Sequence, residues 1–255
     1  MIKFFRRNRQ NLIMKNQTGR YFKYAVGEII LVVIGILIAL QVNNWNNDRN
    51  DIKANKNLMG RLLFESQKNK KAVEENLESI ESLMKDCETL LGFIGTKPAH
   101  TGEKTIDTLI YSILTSPDLI YKGSTLNEAL NSGQLSLILS DSLRDYLYQI
   151  PSLYSDIKRT EDVENLDGSN NFVPFLYDNI SLRQIDYRFA PIKERIGKSK
   201  LSQFDNRVIL KSRKFESMVD NKMFLLNNMK RKNLAFNIVN DSIIKLLKAE
   251  IEKIQ

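Results

Sequence analysis

The longest apolar stretch of the chain lies near its N-terminus, at residues 25–42 (AVGEIILVVIGILIALQV). Only Glu28 and Gln41 in this stretch are strongly polar, and residues 29–40 form an unbroken apolar run. At about 1.5 Å per residue, a helix of this length covers about 27 Å, which is close to the hydrocarbon thickness of a bilayer. The pattern therefore predicts a transmembrane helix over residues 25–42.

A cleavable signal peptide and a helix buried in a protein core are the competing interpretations of this stretch. A signal peptide would carry a shorter apolar region followed by small residues at a cleavage site, and residues 39–42 (ALQV) match such a site poorly. Aromatic side chains flank the run at both ends, as they do where a helix is anchored at membrane interfaces. These residues are Tyr21, Phe22, Tyr24 and Trp45. The membrane span is therefore the preferred interpretation.

Beyond the span, the positions of proline predict two long helices, near residues 50–94 and 204–254. All five prolines lie between Pro98 and Pro191, so the flanking stretches lack the strongest helix breaker. In the first helix, apolar residues alternate at spacings of four and three and form a heptad seam. The seam consists of Val73, Leu77, Ile80, Met84, Cys87, Leu91 and Ile94. In the last helix, apolar residues follow a period near 3.6. They are Phe215, Val219, Leu226, Met229, Phe236, Val239, Ile243, Leu247, Ile251 and Ile254.

The same patterns indicate how the long helices begin and continue. The seam weakens upstream at Ser66 and Lys70, which favours a helix in a bundle over a long two-stranded coiled coil. Because no proline follows the span, we expect the membrane helix to run on into the first long helix with a break around residues 43–47. Asparagines in the last segment leave two alternatives open there, a single helix and two consecutive helices.

Shorter elements are expected between the two long helices. Residues 106–114 are predicted to form a helix. A capping box of Thr125 and Glu128 predicts the start of another, which Gly133 ends. The only strand-like alternation in the chain is at residues 135–139.

A longer helix follows, with Asp141 as its predicted cap. We expect it to kink at Pro151, to continue to about residue 165, and to be followed by a turn over residues 167–171. Helices therefore account for nearly all of the predicted structure.

The formal net charge of +8 is concentrated at the N-terminus. Seven of the 38 basic residues precede Glu28, the first of the 30 acidic residues, so the chain beyond Glu28 holds 31 basic and 29 acidic residues. Proteins that bind nucleic acid usually carry positive charge on the folded domain, so this distribution argues against a nucleic-acid partner. It fits the anionic inner face of a membrane instead. Residues 2–14 form either a helix lying in the headgroup layer or a basic tail that only sets topology.

The positive-inside rule places this basic end in the cytoplasm. We therefore predict a basic cytoplasmic segment at residues 1–24, the span at 25–42, and a helical periplasmic domain at 43–255, in the inner membrane of a bacterium with two membranes. The fold class is all-α, with one N-terminal transmembrane helix followed by a helical-bundle-like extracytoplasmic domain with long first and last helices.

One face of the span carries candidate interface residues. At 100° per residue, Glu28, Val32, Gly35 and Ala39 fall on one stripe, and Gly35 and Ala39 form a small-xxx-small pair that permits close approach of a second helix. Glu28 is interpreted either as an interfacial side chain that reaches for water or Lys23, or as a hydrogen-bonding group in a self-associating span.

Two segments resemble a known family. Residues 23–46 read KYAVGEIILVVIGILIALQVNNWN after a basic tail, and residues 121–144 contain Tyr121-x-Gly123, Leu126, Leu130-x-Ser132-Gly133-x-Leu135-x-Leu137-Ile138 and Asp141-x-Leu143-Arg144. This order resembles a membrane-anchored family of Bacteroidota known as a domain of unknown function. The resemblance is specific over residues 1–50 and moderate over 121–148. It implies a single-span inner-membrane protein with a periplasmic helical domain, and it supplies no activity, ligand or catalytic residue.

The sequence offers little catalytic chemistry. Cys87 and His100 are the only cysteine and the only histidine, so neither an internal disulfide nor a Cys/His zinc site can form within one chain. Cys87 occupies a seam position and is interpreted as a small buried side chain rather than a nucleophile. No cofactor and no metal are expected, and the chain is predicted not to be an enzyme.

Ser132, Gly133 and Arg144 frame a possible recognition surface within the segment that resembles the family. The structural interpretation of the same residues is a helix ended by glycine and followed by a packed hairpin. The expected partners are the lipid bilayer and a protein partner or a second copy of the chain. The function predicted is a non-enzymatic interaction or scaffold module, and the alternative is a helical ligand-sensing module that signals through a membrane partner.

Overall fold

The computed structural model of the chain describes residues 18–97 and 101–253. Predictions for the basic tail up to residue 17, for Pro98, His100 and Ile254 lie outside these residues. The chain divides into two units, Met1–Lys56 and Asn57–Gln255. Helix α1, Thr18–Phe93, is continuous through the division between them.

In the first unit, α1 contains the apolar run found in the sequence. Residues 29–50 are exposed along the whole helix surface. The most apolar 18-residue window of α1 has a mean hydropathy of 2.6 and is 0% buried. Within the described residues, α1 is the one helix long and apolar enough to cross a membrane. The expected break at residues 43–47 is wrong, because these residues are helical like their neighbours.

In the second unit, α1 presents one buried stripe to the core. Its buried positions recur at spacings of three and four from Leu62 onward, as in a heptad seam. They are Leu62, Ser66, Asn69, Val73, Asn76, Ile80, Leu83, Cys87 and Leu90. The predicted seam is therefore confirmed in its period but shifted by part of a turn, because Leu77, Met84 and Leu91 are only half-buried. It also continues upstream, where polar residues occupy it.

The last long helix, α8 (Arg213–Lys253), runs antiparallel to this part of α1. Asn233 accepts a hydrogen bond from Asn76 at 3.1 Å, and Asn240 donates to the carbonyl of Ser66 at 2.9 Å. Residue numbers thus fall along α8 as they rise along α1. Of the two alternatives for this segment, the structure has the single uninterrupted helix, and it starts nine residues later than predicted.

Between α1 and α8, the chain forms a series of shorter helical elements. These are α2 (Glu103–Ile113), α3 (Ser124–Ser132), a 3₁₀ turn (Gln134–Leu137), α4 (Asp141–Asp167), a π turn (Gly168–Phe172), α5 (Val173–Asn179), α6 (Leu182–Phe189), α7 (Lys193–Ile196) and a second 3₁₀ turn (Asn206–Lys211). No strand occurs in residues 18–97 or 101–253, so the strand candidate at residues 135–139 is wrong. The predicted turn at residues 167–171 is also wrong, because helical hydrogen bonding continues through the π turn.

The two predicted helix caps differ from those in the structure. Gly123 lies at the N-cap of α3 and no side chain of the predicted capping box caps it. Instead Glu65 of α1 accepts hydrogen bonds from the backbone N–H groups of Thr125 at 2.8 Å and Leu126 at 3.1 Å. A carboxylate at a helix N-terminus satisfies donors that have no partner within the helix. In α4 the cap is Ser140, not Asp141.

Packing around these elements gives two clusters of buried apolar side chains among the described residues. One contains Ile80 and Leu90 of α1 with Ile110, Phe172 and Phe215. The other contains Leu62 and Val73 of α1 with Leu126, Leu147, Ile157 and Phe236. Helix α4 packs along α8, and both long helices contribute to both clusters. The all-α fold class is confirmed for the residues that the structure describes.

Candidate functional sites

The span candidates lie on an exposed part of α1. Val32, Gly35 and Ala39 are exposed and Glu28 is half-buried. A Cβ built on Gly35 would have no other atom within 4 Å, so its small size is not required by packing within this chain. The face is therefore open to contact with lipid or with another helix.

Ser132, Gly133 and Arg144 lie around the turn between α3 and α4. Gly133 ends α3 with φ 73°, a left-handed conformation that glycine adopts without strain, as the predicted stop requires. Arg144 donates to the carbonyl of Ile138 at 2.8 Å and pairs with Asp141. Its guanidinium thus holds the α3–α4 connection, while Ser132 and Gly133 are exposed.

Another part of the segment that resembles the family is explained by packing. A Cβ on Gly123 would lie 2.3 Å from the ring of Tyr121, so only glycine fits at this position. That ring packs against Tyr154, with centroids 4.5 Å apart, and burial raises the pKa of the Tyr121 hydroxyl above its ordinary value. The Tyr121-x-Gly123 motif is therefore a packing unit in the second core cluster.

The structure gives Cys87 the buried position predicted for it. Its side chain is 0% exposed in the first core cluster, and burial raises the pKa of the thiol to about 12. Because the thiolate is the reactive form, such a thiol is a poor nucleophile at neutral pH.

An ion pair that the sequence did not reveal connects α4 to α8. Glu164 and Lys222 form a salt bridge with side chains that are 1% and 8% exposed, respectively. Lys222 also donates to the carbonyl of Thr115 at 3.2 Å. The second carboxylate oxygen of Glu164, Oε2, is buried without a hydrogen-bond partner among the described residues. A buried carboxylate that is only half satisfied is costly, so such a group marks a candidate site.

A cavity of about 160 Å³ adjoins this pair, and we call it the Glu164 cavity. Its walls come from the end of α2, the C-terminal turn of α4, the π turn and α8. They include Ile113, Ser116, Glu164, Ser169, Phe172 and Lys222.

A signal for Lys222 was present in the sequence, because its position keeps the spacing of the buried stripe of α8, which contains Val219, Lys222, Leu226 and Met229. A lysine on that stripe was passed over because the period was traced through apolar residues alone.

A second concave surface is an open groove of about 820 Å³ between α1 and the α2–α3 connection, which we call the serine groove. Hydroxyl side chains are the most numerous polar groups of its lining, and they are Ser79, Ser82, Ser112, Thr115 and Ser116. Glu75, Glu78 and Asp118 add carboxylates, and no lysine or arginine is among the lining residues. Glu75 pairs with Lys71 at 3.5 Å and Asp118 with Lys158, which leaves Glu78 as the lining carboxylate without a salt bridge in the described part of the chain.

The remaining buried carboxylates are engaged in structural contacts. Asp107 of α2 is fully buried, accepts from Asn206 at 2.7 Å and pairs with Arg188. Burial raises the pKa of Asp107, an effect that the hydrogen bond from Asn206 and the charge of Arg188 oppose. Among the described residues, no three or more Asp, Glu, His or Cys side chains are grouped as they would be to hold a metal ion.

Comparisons of the chain with protein-family models, with curated proteins and with solved structures return no match. The resemblance to the Bacteroidota family therefore stays a prediction, and function has to be argued from the groove, the cavity and the apolar segment of α1.

Proposed function

We propose that the protein is a single-pass inner-membrane protein whose periplasmic helical domain is a non-enzymatic interaction module. The serine groove carries this proposal, because it is larger than the Glu164 cavity and its lining is suited to hydrogen bonding rather than to catalysis. The apolar segment of α1 supports the anchor, since an exposed run with a mean hydropathy of 2.6 is stable in lipid and costly in water.

The chemistry of the serine groove indicates the kind of partner. Hydroxyl and carboxylate groups accept hydrogen bonds, and the net charge of the lining is negative. Ile120 adds an exposed apolar contact at the rim, with 72% of its surface accessible. A protein segment with lysine or arginine side chains and one apolar anchor complements this surface.

Membrane topology is tested first. A periplasm-dependent phosphatase fused after Gln255 should be active, and a fluorescent protein that matures only in the cytosol should not be fluorescent at the same position. The opposite pattern would contradict the periplasmic orientation.

Partner binding is tested with a photo-crosslinking amino acid placed in the groove. Incorporation at Ser82, on an exposed position of α1 in the groove, should yield a discrete crosslinked product in native membranes. Incorporation at Gln149, an exposed position of α4 outside the groove, is the matched control and should not. Equal products at both positions, or none at Ser82, would contradict a partner at this surface.

Ligand sensing is the second candidate function. The Glu164 cavity is the specific observation that favours it, because a concave site with an apolar wall and a few polar groups is the usual form of a small-molecule site.

A further inference from the structure

The charge of the chain beyond Glu28 is unevenly distributed. Residues 183–214 hold ten basic and three acidic residues, whereas the whole chain beyond Glu28 holds 31 basic and 29 acidic residues. The remainder therefore holds 21 basic and 26 acidic residues. The near neutrality of this part of the chain is thus the sum of one strongly basic region and an acidic remainder.

Contacts with α2 fix two points of the basic region and leave the residues between them exposed. Asp107 of α2 pairs with Arg188 of α6 and accepts a hydrogen bond from Asn206 of the second 3₁₀ turn at 2.7 Å. Between these two anchors, residues 191–195 and 198–205 are exposed. They belong to α7 and to the loops on either side of it.

The basic side chains between the anchors are not neutralised by the chain itself. Asp205 pairs with Arg207 at 2.8 Å, so Glu194 is the one acidic side chain without a salt bridge in this interval of the described chain. We call residues 191–204 the basic segment. Four basic residues of the segment form no salt bridge within the described residues, and they are Lys193, Arg195, Lys198 and Lys200. An excess of three positive charges is therefore exposed there.

Apolar side chains are exposed among these charges. Leu201 is 83% exposed, Ile192 56% and Phe204 43%. Tyr187, Lys198 and Leu201 line one concave surface of about 320 Å³, so an aromatic, a charged and an aliphatic side chain share one side of the fold. Of the described residues that line it, none is aspartate or glutamate. The segment thus presents positive charge and apolar surface together.

This combination favours a lipid surface over other anionic partners. Lysine and arginine attract anionic headgroups, and exposed aliphatic and aromatic side chains enter the boundary between headgroups and acyl chains. A nucleic acid would complement the charge, but its phosphate backbone offers no apolar contact for Leu201 or Ile192. An acidic protein would need an apolar pocket opposite each of these side chains, whereas a bilayer accepts them in any arrangement.

We propose that the basic segment binds the surface of an anionic phospholipid bilayer. Its lysine and arginine side chains lie at the headgroup phosphates, and Leu201 and Ile192 enter the acyl boundary. This contact is separate from the predicted span, because the segment belongs to the unit Asn57–Gln255. The protein thus contacts lipid through two different parts of its chain.

The test measures binding of the full chain, held in nanodiscs of phosphatidylcholine, to separate vesicles by co-flotation over a range of vesicle concentrations. The vesicles contain phosphatidylglycerol and phosphatidylcholine in equal amounts, and vesicles of phosphatidylcholine alone are the uncharged control. The basic residues before Glu28 also attract anionic lipid, but they are the same in every variant. We expect saturable binding to the anionic vesicles alone. No binding to these vesicles, or equal binding to both kinds, would overturn the proposal.

Two double variants locate the charge. Lys198→Gln with Lys200→Gln should weaken binding by about tenfold or more, since each lysine near an anionic surface contributes about fivefold. Lys245→Gln with Lys248→Gln removes the same charge from exposed positions of α8 and should leave binding unchanged. All four side chains are exposed, so both variants should keep the circular dichroism spectrum of the parent. Equal losses would mean that binding follows net charge alone, and the segment would not be the site.

A substitution of Leu201 distinguishes a bilayer from a soluble polyanion. Leu201→Ser should weaken binding to the anionic vesicles by about tenfold, because the leucine is transferred from water to the acyl boundary. Leu139→Ser is the matched control, since Leu139 is 84% exposed and lies outside the segment, and it should have no effect. If Leu201→Ser binds like the parent while the double variant of Lys198 and Lys200 does not, the segment serves a soluble polyanion and the lipid proposal fails.

Discussion

Two parts of α1 are both rich in apolar residues but differ in how these residues are arranged. In residues 25–42 the apolar side chains cover every face of the helix and are exposed, Ile34 by 49% and Leu37 by 59%. In residues 57–93 they follow one stripe, where Ile80 and Leu90 are fully buried. An all-round apolar surface suits a lipid environment, whereas a stripe suits a protein neighbour.

The difference also extends to polar residues. Residues 25–42 contain few of them, as expected of a helix in lipid, which offers no hydrogen-bond partners. Ser66, Asn69 and Asn76 on the buried stripe and Glu65 beside it are all buried. Other parts of the fold supply their partners: Glu65 accepts from the N–H of Thr125, the carbonyl of Ser66 accepts from Asn240, Asn69 pairs with the backbone of Lys122, and Asn76 donates to Asn233. Composition is therefore enough to identify residues 25–42 as apolar enough to cross a membrane, whereas the pairing of the buried polar residues depends on which groups lie opposite each other.

The largest effect is expected when charge is placed in the middle of the span. Each aspartate at the centre of a transmembrane helix costs about 2.5–3.5 kcal/mol of insertion free energy, so Ile34→Asp with Leu37→Asp should cost about 5–7 kcal/mol and release the protein from the membrane. The fraction of protein retained in membranes after alkaline carbonate washing measures this. Asn46→Asp with Asn50→Asp, just outside the run, is the control and should be retained. Retention of the first variant would refute the span.

The same substitution in the two parts of α1 should give a smaller, unequal effect. Ile80→Ala opens a cavity in the first core cluster and should lower the free energy of unfolding of the folded domain by about 2–5 kcal/mol. Ile34→Ala removes the same atoms from an exposed position and should leave that free energy unchanged. Urea unfolding of the full chain in detergent, followed by circular dichroism, measures both. Equal losses would show that residues 25–42 are also packed in a protein core.

Sequence reasoning succeeded where one residue type determines the outcome. Glycine in a left-handed conformation ends α3 at Gly133, and the proline-free stretches form the long helices α1 and α8. It failed where a distant residue decides. The cap of α3 is Glu65, about sixty positions away, and the neighbour that keeps Asn76 on the buried stripe is Asn233. Neither pairing has a local signal, because each depends on how α1 packs against other elements.

The candidate sites divide in the same way. The span face of Glu28, Gly35 and Ala39 was identified by local spacing, and the surface of Ser132, Gly133 and Arg144 by its place in the segment that resembles the family. The Glu164 cavity was not, since Glu164 and Lys222 are 58 residues apart and meet only through the packing of α4 on α8. The one available signal was Lys222, a charged residue on the buried stripe of α8.

The cap of α3 provides a sharper comparison between local and distant partners. Glu65→Ala removes the acceptor for the N–H groups of Thr125 and Leu126, and should lower the free energy of unfolding by about 1.5–3 kcal/mol, the range for hydrogen bonds to a charged group. Glu128→Gln alters the residue that the local capping-box pattern selects, and should have no measurable effect because its ion pair with Arg61 is exposed. Chemical unfolding of both variants measures the two losses of free energy. A larger loss for Glu128→Gln than for Glu65→Ala would show that the local capping box stabilises the start of α3.

The smallest effect concerns the asparagine pair between α1 and α8. Asn76 donates to Asn233 at 3.1 Å, and Asn233 donates to the carbonyl of Met229 at 2.9 Å. Asn76→Leu leaves the Asn233 oxygen buried without its donor, so each single leucine variant should be destabilised by about 1–3 kcal/mol.

In the double variant, Asn76→Leu with Asn233→Leu, neither the unpaired oxygen of Asn233 nor the unpaired N–H of Asn76 remains, and an apolar contact replaces the hydrogen bond. The double variant should therefore lose less than the sum of the single losses, with a coupling free energy of about 0.5–3 kcal/mol from a double-mutant cycle in urea. Additive losses would mean that the two side chains do not interact.

Because a buried asparagine also penalises displaced pairings, the double variant should lose selectivity for one register of α1 against α8 even where its stability is restored. A spin-label distance between the two helices would then broaden, which separates the role of the pair in register from its role in stability.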